Sequence, residues 1–163
     1  MEANDPASIC LLATYYHYGL EGLQQDRTKS MELFTKSADL SHSKAHLFWG
    51  RYYHKGGDSK KAKFHYEAAA MAGHEIARSN LGAVEYDSGN KERGVKHWII
   101  AASSGSFCAM DQLRILFEYG AVSRESIDST LKAYNDSCAE VRSEARDAFI
   151  SGMMKIIESV NNT

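Results

Sequence analysis

Seven histidines and three cysteines are the side chains of this sequence best suited to hold a metal or attack a substrate. His42 and His46 are four apart, which on a helix sets both imidazoles on one face, where they can share a metal ion. They flank an expected helix start, however, and the sequence places no third ligand beside them. His74-Glu75-Ile76-Ala77-Arg78 opens like a zinc-protease helix, but arginine stands where the second histidine must be. His65 and His97 share one spacing and His17 and His54 another, which points to structural positions repeated along the chain. Cys10, Cys108 and Cys138 are odd in number and widely separated, so they suit neither a disulfide framework nor a CxxC metal site and fit a reducing compartment. The sequence carries no GxxxxGK[ST] loop, no GxSxG elbow, no GxGxxG after a strand and no strand pattern. The expectation is a non-enzyme with no catalytic residue, no metal and no cofactor.

The elements that carry these residues emerge from internal repetition. Phe34, Tyr66 and Trp98 lie 32 residues apart, as do Ala38, Ala70 and Ala102, and Ser41, Gly73 and Gly105. Lys29, Lys61 and Arg93 keep the interval. A second set does too: Ala45, Ala77 and Ala109; Trp49, Leu81 and Leu113; Gly50 and Gly82; and Tyr53, Glu85 and Phe117. A further unit fits upstream with a longer loop, placing Ser8, Leu12, Ala13, Tyr16 and Gly19 in the columns of Ala45, Trp49, Gly50, Tyr53 and Gly56. Each unit reads as two helices. The first carries the stripe with its small residue and ends at Gly19, Gly56 or Gly120 in the left-handed conformation of a helix C-terminus. The second starts at the N-cap residues Asp26, Asp58 or Asn90 and carries the aromatic, with alanine four residues on. One helix pair cannot bury its apolar face alone, so stacked units must supply the core.

The pattern Ala-x-x-x-Leu-Gly-x-x-Tyr/Glu-x-x-Gly, then Asp-x-x-Lys-Ala, then Ala-Ala-x-x-Gly, resembles Sel1-like repeats, relatives of tetratricopeptide repeats. Ala77 through Gly82, with Ala101-Ala102 and Gly105 behind, is its clearest instance. The resemblance implies an all-α fold, a right-handed α-α superhelix or solenoid of about four helix-turn-helix repeats with a long C-terminal capping helix. The units are expected at about 5–41, 42–73, 74–105 and 106–136, the last weakened by Arg114 where glycine is expected. The cadence is also similar to Sel1 proteins of unicellular algae, which often carry a degenerate zinc finger upstream. On that resemblance the chain is the repeat portion of a longer protein.

From Ser123 onward Ile127, Leu131, Tyr134, Cys138 and Val141 form an apolar stripe, roughly continued by Ala145, Phe149, Met153, Ile156 and Val160. This predicts one long helix, beginning as the last repeat helix and extending over 137–160 as a cap. Cys138, on that stripe, reads as a buried small hydrophobe. The tail Met153 through Ile157 either folds back on the array, the favoured reading, or meets a second copy as a homodimer.

Function is left to the surface. The formal net charge of −2 sets up no global field toward nucleic acid or anionic membrane. No run approaches the roughly 20 apolar residues of a membrane span. The acidic N-terminus, Met1 to Asp5, lacks the apolar core of a signal peptide, so a cytoplasmic location is expected. Tetratricopeptide-like arrays line their concave face with the first helix of each unit. The groove positions are then Leu11, Thr14, His17 and Tyr18; Phe48, Arg51, His54 and Lys55; Asn80, Ala83, Tyr86 and Asp87; and Gln112, Ile115, Glu118 and Tyr119. Thr14, His17, Arg51, His54, Lys55, Asn80, Ala83, Tyr86, Asp87 and Glu118 are the expected partner-binding set. Phe48 and Tyr18 fit packing between repeats equally well. Aromatic and arginine residues at such sites suit a protein or peptide partner. Between residues 42 and 65, Lys44, Arg51, Lys55, Lys60, Lys61 and Lys63 face only Asp58, whereas the last third is acidic. The alternative function is therefore anionic-ligand or nucleic-acid binding through the basic second repeat; nucleic acid is disfavoured because the rest of the chain would repel phosphate.

Overall fold

The computed structural model describes residues 5–139 and 144–161, with the side chains of 144–148 and 158–161 left aside. Among these residues there are nine α-helices and no strand: α1 (Pro6–Tyr18), α2 (Arg27–Asp39), α3 (Ser43–Lys55), α4 (Ser59–Met71), α5 (Glu75–Asp87), α6 (Lys91–Ser103), α7 (Phe107–Glu118), α8 (Arg124–Cys138) and α9 (Glu144–Asn161). The chain divides into two compact units, residues 1–77 and 78–163, the division falling inside α5. Val141 lies outside the described residues, as do the side chains of Ala145 and Val160.

In the first unit α1 packs on α2, α2 on α3, and α3 on α4. The helices start where the sequence supplies acceptors for orphan N–H groups. Asp5 accepts from the Ser8 N–H at 2.7 Å, with Pro6 as the first helical residue. Asp26 accepts from the Lys29 N–H at 2.9 Å, and Asp58 from the Lys61 N–H at 3.0 Å. Asn90 departs from this pattern: its side chain makes no cap and instead donates to Glu85 Oε2 at 2.9 Å. The α3 stop also differs from the sequence reading. Gly56 keeps a right-handed φ of −78°, and Gly57, at φ 80°, makes the left-handed turn.

The 32-residue columns are packing positions. Phe34, Tyr66 and Trp98 are all buried, and Ala45, Ala77 and Ala109 are 0% exposed. Buried hydroxyls tie α2 to α1: Ser30 Oγ donates to the Ala13 carbonyl at 2.9 Å and Ser37 Oγ to that of Pro6 at 2.8 Å. The upstream unit keeps the register only partly. Leu12, aligned with buried Trp49, is exposed, and Ile9, Cys10 and Ala13 fill the core side of α1.

In the second unit α6 packs on α7 and α8, and α7 on α8. Arg114 takes the column of Gly50 and Gly82, while buried Thr130 takes that of the aromatics. No ring demands the space a glycine would leave, and Arg114 pairs along its own helix with Asp111 at 2.9 Å and Glu118 at 2.7 Å. Cys138 is buried. The expected single C-terminal helix is two: α8 ends at Cys138 with Ala139 a turn, and α9 is described over Glu144–Asn161. The second helix packs against α7 and α8. Phe149 meets Phe107 edge-on at 4.5 Å, and Met153 and Ile157 join the unit's core. The apolar side of α9 thus turns onto its own unit, the folded-back arrangement of the two the tail allows.

Candidate functional site

In the first unit, residues of α1, α2 and α3, with Gly56 and Asp58 beyond α3, line an open cavity of about 930 Å³, within the size range of small-ligand pockets. Its apolar floor includes Cys10, Met31, Phe34, Leu47 and Phe48, with Arg27, Lys44, Arg51 and Lys55 around it. Phe48 stacks on Phe34 with ring centroids 3.7 Å apart. That stack decides the role of Phe48, which packs between helices and serves the cavity as wall. Tyr18, 66% exposed, stands free at the rim.

Four of the expected partner-binding set line this cavity, Thr14, His17, Arg51 and Lys55, beside the groove positions Tyr18 and Phe48. Thr14 spends its hydroxyl proton on the Cys10 carbonyl at 2.9 Å, leaving its oxygen lone pairs available. The His17 ring is wedged edge-on against Tyr18 at 4.7 Å and Phe48 at 5.4 Å. Its Nδ1 is buried and has no hydrogen-bond partner among the described residues. Arg51 and Lys55 are exposed. His54 is not part of the wall; its ring lies 6.3 Å from that of Tyr66. The lining carries one carboxylate, Asp58, and it is engaged. Its bond from the Lys61 N–H holds it below the usual carboxylate range, and it also pairs with Lys61 Nζ at 3.4 Å. Burial pushes the Cys10 thiol up, which keeps it protonated and a poor nucleophile.

The remaining expected positions fall in the second unit. Asn80 is half-buried and Asp87 exposed. Ala83 and Tyr86 pack against the core, Tyr86 with its ring 5.2 Å from Trp98. Glu118 is held by Arg114. Reading groove positions from first helices alone missed Arg27 and Met31, which α2 contributes, and it passed over Lys44 and Tyr52 on α3.

The histidines sort differently from the i, i+4 reading. His46 pairs with His65 across α3 and α4, their Nδ1 atoms 3.0 Å apart, beside a second cavity of about 460 Å³. Burial holds both imidazoles below the ordinary histidine value of 6.5, and it does the same to His42. Among the described residues no group of three or more histidine, cysteine, aspartate or glutamate side chains is arranged to hold a metal ion.

The model of the Sel1 repeat matches residues 6–42, 43–74 and 77–106, well over half of the chain. The chain belongs to the Sel1 repeat family. The match holds three repeats, and residues 107–136 lie beyond it. Sel1 repeats generally mediate protein–protein interaction. Among solved structures, the chain is similar to a Sel1 repeat protein from Oxalobacter formigenes, with a TM-score of 0.68, 23% identity and 90% of this chain covered. It is also similar to a protective antigen of uropathogenic Escherichia coli displaying an SLR fold, with a TM-score of 0.68, 20% identity and 96% of this chain covered. At these identities the likeness shows the fold, an all-α solenoid of helix-turn-helix repeats. The chain spans 63% of the first of these Sel1 proteins and 37% of the second. A comparison with curated proteins found no match. Among the described residues no helix is long and apolar enough to cross a membrane.

Proposed function

We propose that this Sel1 repeat protein is a non-catalytic scaffold or adaptor that holds a segment of a partner protein in the cavity of its first unit. The observation that carries the reading is the composition of that cavity: an apolar floor from three helices, exposed tyrosines, and basic side chains around them. Aromatic and arginine anchors around a desolvated centre are what concentrates binding energy at protein interfaces. Thr14, His17, Arg51 and Lys55 contact the partner directly, and His54 lies beside them on α3. Asn80, Ala83, Tyr86, Asp87 and Glu118 are further contact positions on the second unit. Because α9 buries Met153 and Ile157 in its own unit, a homodimer through the C-terminal helix is the weaker assembly. The cytoplasm and kinship with Sel1 proteins of unicellular algae are part of the proposal on sequence grounds alone.

Nucleic-acid binding through the basic second repeat is the alternative, and the ion pairs weaken it. Lys61 is paired with Asp58 and Lys63 with Glu67 at 4.0 Å, so part of that charge is neutralised locally.

The test is site-specific photo-crosslinking in native extract. A benzophenone amino acid at position 51 is compared with one at position 71, where Met71 is 86% exposed and outside the cavity wall. A protein joined from position 51 and not from 71 establishes the cavity as the contact. Identical products from both positions, or none from 51, place the contact elsewhere.

A further inference from the structure

We infer that the segment held in the first-unit cavity is acidic, with one aromatic or large aliphatic side chain flanked by aspartate or glutamate. The inference rests on the scaffold reading above and specifies its partner. Arg27, Lys44, Arg51 and Lys55 line one cavity, all four are exposed, and none has an ion-pair partner among the described residues. Four positive charges bordering one cavity attract carboxylates to it and set their register there. The cavity's own carboxylate does not serve, since Asp58 is committed to the α4 N-terminus and Lys61.

The floor supplies the second half of the specification. Met31 and Phe48, half-buried, and the exposed rings of Tyr18 and Tyr52 come from all three helices and offer, over buried Phe34 and Leu47, an apolar surface a phosphate or a bare carboxylate gains nothing by covering. An aromatic or branched aliphatic side chain gains roughly 25 cal/mol for each Å² it removes from water there. Arginine forks bind carboxylates in two parallel hydrogen bonds, so Arg27 and Arg51 add direction as well as charge. Single-stranded nucleic acid also seeks cations and aromatic rings, but it needs a basic track along which successive bases stack. Here the unpaired cations surround one pocket.

The probe is a phage-displayed library of random peptides selected on the full chain, with enriched peptides synthesised for affinity measurement. The expected outcome is enrichment of peptides pairing an aromatic or aliphatic residue with aspartate and glutamate. On an Arg51→Glu/Lys55→Glu variant, shown folded by its helical circular dichroism and melting temperature, their affinity falls at least about tenfold. Replacing the peptide's carboxylates with lysine restores binding to that variant. Enriched peptides that are neutral or basic, and that lose affinity on Tyr18→Ala/Tyr52→Ala, overturn the acidic partner while leaving the scaffold reading intact. Peptides indifferent to both variants, or a library with no enrichment, overturn both readings. A single-stranded oligonucleotide that displaces the peptides and binds more tightly overturns the inference in favour of nucleic acid.

Discussion

Gly82 of α5 lies directly against the indole of Trp98 in α6: a Cβ on Gly82 would stand 2.8 Å from ring atoms Cδ1 and Nε1. The ring has nowhere to go, because it is buried and its Nε1 donates to the Ser79 carbonyl at 3.0 Å. Thirty-two residues upstream, Gly50 meets Tyr66 in the same way, and a Cβ there would overlap the ring. The small-then-aromatic columns of the sequence are thus one contact repeated: a bare backbone on one helix receives the ring of the next.

Gly82→Ala is expected to destabilise the chain by about 1–2 kcal/mol. Overpacking costs roughly 1–3 kcal/mol, the upper half of that range applies where the ring is buried and hydrogen-bonded, and about 1 kcal/mol is regained from helix propensity. Gly152→Ala in α9 isolates the propensity term, since nothing lies within 4 Å of a Cβ built there, and it should stabilise by roughly 0.5–1 kcal/mol. Urea unfolding of both variants checks the pair. A Gly82→Ala protein as stable as the parent would show that the ring is free to move.

The repeat was legible because its columns use residue types that packing restricts: a glycine, an alanine or an aromatic at fixed intervals. The His46–His65 pair was not, because pairing along one helix is visible in spacing and pairing between α3 and α4 is not. The shift of the left-handed turn from Gly56 to Gly57 was hidden for a related reason: two adjacent glycines satisfy the same pattern. Glu85 stood in a column with Tyr53 and Phe117, and nothing in its neighbours announced a carboxylate only 1% exposed. The end of α8 at Cys138 escaped because the apolar stripe of the sequence continues beyond it. Of the residues lining the first-unit cavity, Thr14, His17, Arg51 and Lys55 were readable from the repeat, whereas Lys44 and Tyr52 lie at other positions of α3 and Arg27 reaches the cavity from α2, which the tetratricopeptide-like rule leaves out.

Stability should fall as the pH drops below about 6.5. His46 and His65 are both held down by burial, so the unfolded chain takes up protons first and each proton favours unfolding. A hydrogen bond to the Ala38 backbone, and after it the charge of Asp39, draw His46 the other way and soften the effect without reversing it. Above 6.5 the contribution is fully present, and it is lost progressively as the pH falls through the lowered folded values. The carboxylates Asp5 and Asp58, also held down, act only around and below 3.8. A His46→Leu/His65→Leu variant should have a flatter melting profile between about pH 7 and pH 5, His42 leaving a residual slope. An unchanged slope in that variant would remove the pair from the account.

Arg93→Ala should cost more than an ordinary surface ion pair. Arg93 sits 3.2 Å from Glu85, its own side chain 60% exposed and that of Glu85 only 1%. Exposed pairs contribute about 0–1 kcal/mol, while depriving a buried charge of its partner costs roughly 3–5 kcal/mol. With one partner wet and Asn90 still donating to the carboxylate, the expected loss is about 1–2 kcal/mol. Chemical denaturation against Arg124→Ala, whose pair with Asp128 is exposed on both sides, makes the comparison. Equal losses would mean that the carboxylate is adequately held without Arg93.

Met153→Ala tests whether α9 is part of the second unit's core or an appendage. Met153 is 1% exposed and Ile157 3%, in one apolar cluster with Leu113, Leu131 and Tyr134. Truncating a methionine at such a site costs about 2–5 kcal/mol, lost transfer energy and cavity together. Met154, on the next position and 48% exposed, supplies the matched control, and Met154→Ala should change stability by less than about 0.5 kcal/mol. The asymmetry is the deciding feature. A helix that docked only on a second copy would give an unfolding midpoint that rises with the logarithm of protein concentration. One folded on its own unit loses stability at Met153 alone, whatever the dilution. Urea titrations at two well-separated concentrations read this out. A concentration-dependent midpoint for the parent chain would return the helix to the dimer interface that its apolar stripe also allows.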